Sequence, residues 1–220
     1  MMLNPFEAIL RVIQFIVLLT FHEWGHAKAA LMLGDPTAKD EDRLTFNPAA
    51  HIDIIGTVIL PLLGTLFGGA FFGWAKPVPV DPRNLKNPKR DLMIIAAAGP
   101  VMNIICAFVI LLAVKLLVEF VGPSIHREIY SQLQLSALIS VFLAAFNMLP
   151  LFPLDGFSVV YGLLPWKQAQ AFDRLRPYGM MILLGIIFLP NLLRIPNPVF
   201  IMIRLVSFGI FDLFHTLVGL

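Results

Sequence analysis

One short run of this 220-residue chain concentrates groups able to do chemistry: His22-Glu23-Trp24-Gly25-His26. On a helix, side chains four residues apart share a face. Both imidazoles can therefore point at one metal ion, and Glu23 can reach a water held by that ion. Two histidine ligands with a glutamate general base form the zinc-hydrolase arrangement. The run ends an apolar stretch, where ionisable side chains are expensive and functional by default. A solvated polar helix end at the membrane interface is the bland alternative.

A catalytic zinc needs a third protein ligand and an open position. Asp155 closes the run Asn147-Met-Leu-Pro-Leu-Phe-Pro-Leu-Asp155-Gly156. Pro150 and Pro153 stop a helix there, and Gly156 permits a turn. A stiff backbone at a helix end suits a ligand, although an aspartate there can also cap the next helix. His51, in Asn47-Pro-Ala-Ala-His-Ile-Asp53, competes for the role but sits in a polar stretch. His126 and His215 have no clustered partners.

The rest of the chain must position these groups, and its composition says in what medium. Hydrophobic residues make up 58% and charged residues 14%, too few to cover a soluble surface. A net charge of +2 provides no broad basic face for nucleic acid. Disordered chains and coiled coils are excluded on the same grounds. The single cysteine, Cys106, allows no internal disulfide. The expected fold is an all-α polytopic membrane protein, one integral-membrane domain over 1–220, with core 1–156 and accessory C-terminal helices over 178–220. Asn4 to Thr20 has no basic region before it and no small-x-small cleavage site after it, so it reads as a mature membrane helix.

A span needs about 20 apolar residues. Pro5–Leu33, Leu92–Val121 and Leu135–Pro153 pass or come near. Pro190, Pro196 and Pro198 divide the last apolar region into Tyr178–Leu189 and Pro198–Leu217. Ile54–Phe72 is dense in glycine and carries Pro61, so irregular backbone is expected there. Gly73–Val80, with Pro77 and Pro79, reads as extended. The expectation is about five transmembrane helices plus a re-entrant hairpin or sixth helix.

Three motifs in this order, H-E-W-G-H, Ala98-Gly99-Pro100-Val101-Met102-Asn103 and Asn147 through Asp155-Gly156, resemble the site-2 protease family of intramembrane zinc metalloproteases. The resemblance runs from His22 to Gly156. It implies that His22, His26 and Asp155 bind Zn2+, that Glu23 activates the water, and that peptide bonds of membrane-embedded proteins are cut. It also implies an extended segment that holds substrate as a strand, for which Gly73–Val80 is the match. Neither a PDZ nor a CBS segment is recognisable, which leaves gating open. Asn147 and Asn103 are candidates for holding substrate or a developing oxyanion, with helix–helix hydrogen bonding as the alternative.

Sharing one zinc requires the three ligands to share one membrane depth. His22 lies about 26 Å beyond Pro5 at ~1.5 Å per residue, and Asp155 follows the exit end of the Leu135–Pro153 stretch. Those two stretches then run in parallel, the Leu92–Val121 stretch runs opposite, and residues 33–92 cross an even number of times. Ten basic residues fall in loops on the zinc side, among them Lys39, Arg43, Lys76 and Arg176, against Arg127 and Arg194 on the other. By the positive-inside rule the zinc side is cytoplasmic and the N-terminus outside, in the cell membrane. The expected partners are a transmembrane protein substrate and the lipid bilayer. A membrane zinc-binding or transport protein without hydrolysis is the rival reading.

Overall fold

The computed structural model describes residues 5–66, 73–121 and 127–220. Among them the regular structure is helical, with no strand. The long helices are α1 (Pro5–Met32), α4 (Pro88–Val121), α5 (Arg127–Asn147) and α9 (Pro198–Val218). These four are long and apolar enough to cross a bilayer. The shorter ones are α2 (Thr37–Asp40), α3 (Leu60–Leu66), α6 (Asp155–Leu163), α7 (Trp166–Asp173) and α8 (Gly179–Leu193). The chain is therefore an all-α polytopic membrane protein. It divides into two compact units, Met1–Gly99 and Pro100–Leu220, with α4 contributing to both.

In the first unit, Pro5 starts α1 where its missing N–H costs nothing. Ala8, Val12, Phe15, Leu19, His22, His26 and Ala30 are buried at three- and four-residue spacing. Phe6, Ile9, Ile13 and Val17 are exposed, as lipid-facing positions should be. The H-E-x-x-H run thus continues the buried stripe of a spanning helix. Ile54–Ile59 forms a wide π-helical turn leading into α3, with Asp53 Oδ1 accepting the Gly56 N–H at 2.7 Å. That turn is the irregular backbone expected from the glycine density, although 67–72, with Gly68 and Gly69, lie outside the described residues.

Residues 73–81 run extended without a strand partner, as the prolines imply. Their far end is tied by Asp35, which is fully buried. Its carboxylate accepts from Thr37 N–H and Oγ1, Asp81 N–H and Asn84 Nδ2. Ala30, Leu85 and Ile95 form the apolar cluster beside it.

In the second unit, α5 packs on α9. Ala107, Leu111, Ala137 and Val141 are buried there, against Ile210, Phe211 and Phe214. Small residues allow such close helix approach in a membrane. Two boundaries differ from expectation. Helix α5 begins at Arg127 and ends at Asn147, because its polar first turns extend the helix beyond the apolar window. Residues 155–173, between the apolar stretches read from the sequence, form α6 and α7.

Pro190 also fails to end its helix: α8 runs through it to Leu193. A proline cannot bond the carbonyl four residues back, here Ile186. Asn197 Nδ2 donates to Ile186 O at 2.6 Å, while Asn197 Oδ1 caps α9. One side chain thus repairs the proline gap and starts the next helix at Pro198, as expected. At 15 residues α8 is shorter than the other apolar helices.

Burial alone would raise the Asp35 carboxyl, but hydrogen bonds from Thr37, Asn84 and Asp81 outweigh it and hold it below the ordinary 3.8. A lowered folded-state pKa gives stability that is present above the unfolded value and lost as pH falls through the folded one. At pH 7, Asp35→Asn should therefore lower unfolding stability by about 1.5–3 kcal/mol. Thermal unfolding in detergent at stepped pH should show the difference from wild type shrinking below about pH 4. A pH-independent difference contradicts this role.

Candidate active site

The first unit builds the H-E-x-x-H site on the last turns of α1. His22, Glu23 and His26 are all at least nine-tenths buried. The two Nε2 atoms lie 3.1 Å apart, with the rings edge to face. Two nitrogens bound at 2.0–2.1 Å to one tetrahedral ion are about 3.3 Å apart. The pair therefore fits a zinc-sized ion without rearrangement.

His26 Nδ1 lies 2.7 Å from the main-chain carbonyl of Ile95 on α4. A carbonyl only accepts, so Nδ1 carries the proton and Nε2 keeps its lone pair for a metal. Ile95 lies one turn before Pro100, which cannot donate to the neighbouring Ala96 carbonyl. Gly99 sits on the same helix directly against the two imidazoles. A Cβ there would overlap His26 Nε2 and crowd His22 Cε1. The absent Cβ at Gly99 thus lets α4 approach the imidazoles themselves.

Glu23 Oε2 accepts the Val78 main-chain N–H at 3.2 Å. The extended segment carrying Val78 is held along one edge. Trp74 N–H donates to Gly56 O at 3.2 Å, and Thr57 Oγ1 donates to Trp74 O at 2.7 Å. Lys76 N–H donates to His51 O at 2.9 Å, and Arg43 Nη2 donates to Lys76 O at 2.7 Å. His51 thus belongs to a scaffold: it is buried, with Nε2 on Thr45 O at 3.0 Å. Arg43, counted above among the orientation-setting charges, is 6% exposed and works as a backbone clamp. Trp24 packs, stacked on Phe46.

The second unit holds Asp155, Asn147 and Asn103. Asp155 is half-buried and is the first residue of α6. It follows a non-helical stretch, so it does not end α5, the helix read from Leu135. The N-cap is Leu154 with no side-chain cap, so Asp155 is no capping aspartate. Gly156 serves a close approach, not a turn: a Cβ would overlap the carbonyls of Met148 and Leu149. Phe152 and Phe157 flank the aspartate in sequence, and the Arg176 guanidinium lies over both rings, at 5.3 and 4.8 Å. Asp173 Oδ1 holds that guanidinium at 2.7 Å.

Asn147 Nδ2 donates to Leu143 O of its own helix at 3.0 Å. Asn103 is fully buried, and Ser140 Oγ donates to its main-chain carbonyl at 2.7 Å. His215 meets Gln134 Nε2 at 3.1 Å. His126 lies outside the described residues. Ile95 O, Val78 N–H and Gly99 are the contributors that residue types alone did not disclose. Two of them act through the backbone, and only proximity reveals them.

Residues 114–190 match the model of peptidase family M50. That stretch includes Asn147 and Asp155. The chain is 36% identical over 188 residues to "Putative zinc metalloprotease YwhC" of Bacillus subtilis, covering 81% of this chain and 80% of that protein. It is 26% identical over 178 residues to "Putative zinc metalloprotease Rip2" of Mycobacterium tuberculosis, covering 81% of this chain and 66% of that protein. A Rip2 of Mycolicibacterium smegmatis is likewise 26% identical, over 186 residues. No solved structure matches.

The Gly99 contact makes a direct prediction. Gly99→Ala should push the imidazoles off their shared focus and weaken Zn2+ binding by about 10–100-fold, the usual cost of disturbing a ligand's supporting shell. Competition with a chelating dye measures it, and unchanged affinity contradicts the packing argument.

Proposed function

The chain belongs to peptidase family M50, the site-2 type of zinc metalloprotease, and its cofactor is Zn2+; from that premise we propose that it hydrolyses peptide bonds of membrane-embedded protein substrates near the cytoplasmic side of the cell membrane. The observation that carries the proposal is the buried pair of Nε2 atoms 3.1 Å apart on the inner face of a membrane-length helix, with a carboxylate one residue away. A site buried at the end of such a helix suits a substrate that arrives through the bilayer. The excess of Lys and Arg in the loops on its side supports a cytoplasmic active site and an external N-terminus.

In this reading His22 and His26 give two ligands and Asp155 the third. Asp155 suits the role by chemistry: a carboxylate completes two imidazoles into a site that keeps a fourth position open. Bound there, Zn2+ supplies Lewis-acid polarisation of the scissile carbonyl and a water acidic enough to attack at neutral pH. Glu23 takes the proton from that water on a carboxylate oxygen and passes it to the leaving nitrogen. His26, fixed by Ile95 O, keeps its ring in one tautomer throughout. The buried walls exclude bulk water and strengthen each of these electrostatic contacts.

The segment 73–80 is the place for substrate to lie extended, since a helical peptide bond is shielded by its own hydrogen bonds and an added strand is not. Asn147 is the nearer candidate for a substrate or oxyanion contact, because its amide is half-buried and its bond to Leu143 O uses only one of the two N–H groups of Nδ2. Asn103 is fully buried and better suited to holding helices together. An even number of membrane crossings between Leu33 and Leu92, by a re-entrant hairpin or by a sixth helix with a returning segment, would keep the zinc ligands on one side.

The test is cleavage of a transmembrane reporter by the purified protein in detergent or vesicles. Glu23→Gln should keep its zinc and lose about 100- to 10,000-fold in kcat. Asp155→Ala should lose zinc as well as activity. Chelation should abolish cleavage, and added Zn2+ should restore it. Equal cleavage by wild type and Glu23→Gln contradicts the assignment. Zinc binding without cleavage of any reporter would instead favour a non-proteolytic zinc-binding or transport protein.

A further inference from the structure

The extended segment carries a pattern of bonding that the reaction as derived above does not use. In an extended chain, the N–H and C=O of alternate residues face the same edge. Trp74, Lys76 and Val78 share one edge, and every hydrogen bond described for them above lies on it. Trp74 bonds Gly56 and Thr57, Lys76 bonds His51 and Arg43, and Val78 N–H bonds Glu23 Oε2. On the opposite edge, Pro77 and Pro79 carry no N–H. The segment is thus a ruler with fixed marks at residues 74 and 76, and its third mark falls on the carboxylate of the general base.

We propose that the main-chain N–H of Val78 is a positioning group for Glu23, and that Arg43 acts through the Lys76 carbonyl to keep it in register. The inference rests on the reading of Glu23 as general base. The contact is directional. One N–H on Oε2 at 3.2 Å restricts the rotation of the carboxylate and leaves Oε1 for proton transfer. An amide does this without placing a formal charge beside the base. Among the described residues, no other hydrogen bond to the Glu23 carboxylate is present. Arg43 is a costly way to hold a loop, since a guanidinium that is 6% exposed has surrendered most of its hydration. Its bond to Lys76 O, two residues before Val78, sets where along the strand Val78 falls.

The sequence permits a clean test, because Val78 lies between two prolines. Val78→Pro keeps an extended backbone and deletes only the N–H, whereas Val78→Ala shortens the side chain and keeps it. Zinc content, kcat and KM are measured for both, beside Glu23→Gln. The expected result is full zinc loading in both variants, with kcat in Val78→Pro up to about 100-fold below that of Val78→Ala and similar KM in the two. A merely structural role would lower zinc loading and raise KM together. If Val78→Pro does not load zinc, Arg43→Met replaces it, removing the clamp at a distance from the metal. It should again lower kcat in zinc-loaded protein. Equal kcat in zinc-loaded Val78→Pro and Val78→Ala overturns the proposal, as does wild-type kcat in Arg43→Met when that variant is the one read. Wild-type activity in Glu23→Gln fails the underlying reading instead.

Discussion

Backbone groups removed from water must find partners inside the protein, and that constraint shapes several described parts of this chain that depart from a plain helix. Where Pro190 strips a partner from Ile186 O, Asn197 supplies one. Where residues 74–78 run extended, Gly56, Thr57, His51 and Arg43 take up their N–H and C=O groups in turn. On α4, Ile95 O takes up the ring N–H of buried His26. The same requirement that closes the fold also delivers two backbone groups to the H-E-x-x-H side chains, Ile95 O to His26 and Val78 N–H to Glu23.

Buried polar residues in the first unit sort accordingly. His22, Glu23 and His26 face inward from a membrane-length helix, where leaving them unpartnered would be expensive. Arg43, His51 and Asp35 are as deeply buried and form a scaffold for the segment that reaches Glu23. A chain with few charged residues places several of them inside, because hydrolysis needs polar groups and those groups need further polar groups to hold them.

Much of this was legible before any coordinates. The four-residue spacing of His22 and His26 fixes their common face, and the hydrophobic windows of α1, α4 and α9 match the helices closely. The extended reading of 73–80 follows from Pro77 and Pro79 alone. Other features were not legible for physical reasons. Helix α8 passes Pro190 because a residue seven positions later repairs the gap, and a local proline rule has no access to that. Helix α5 extends over Arg127–Gln134, since a helix outlasts its apolar window. Arg43 reads as a topology charge by composition, yet it is a clamp, and only its burial distinguishes the two. Gly99 carries no side chain to read, and only its neighbours show that imidazoles occupy the space.

The central claim is that one Zn2+ is held by two imidazoles and one carboxylate, with a position left for water. X-ray absorption at the zinc edge on the purified, zinc-loaded protein tests it most directly. The account predicts a shell of nitrogen and oxygen only, near 2.0–2.1 Å, with the outer-shell scattering of two imidazole rings and no sulfur. A shell containing three imidazoles, which would bring in His51 or another histidine, or a zinc–sulfur distance near 2.3 Å from Cys106, would contradict it.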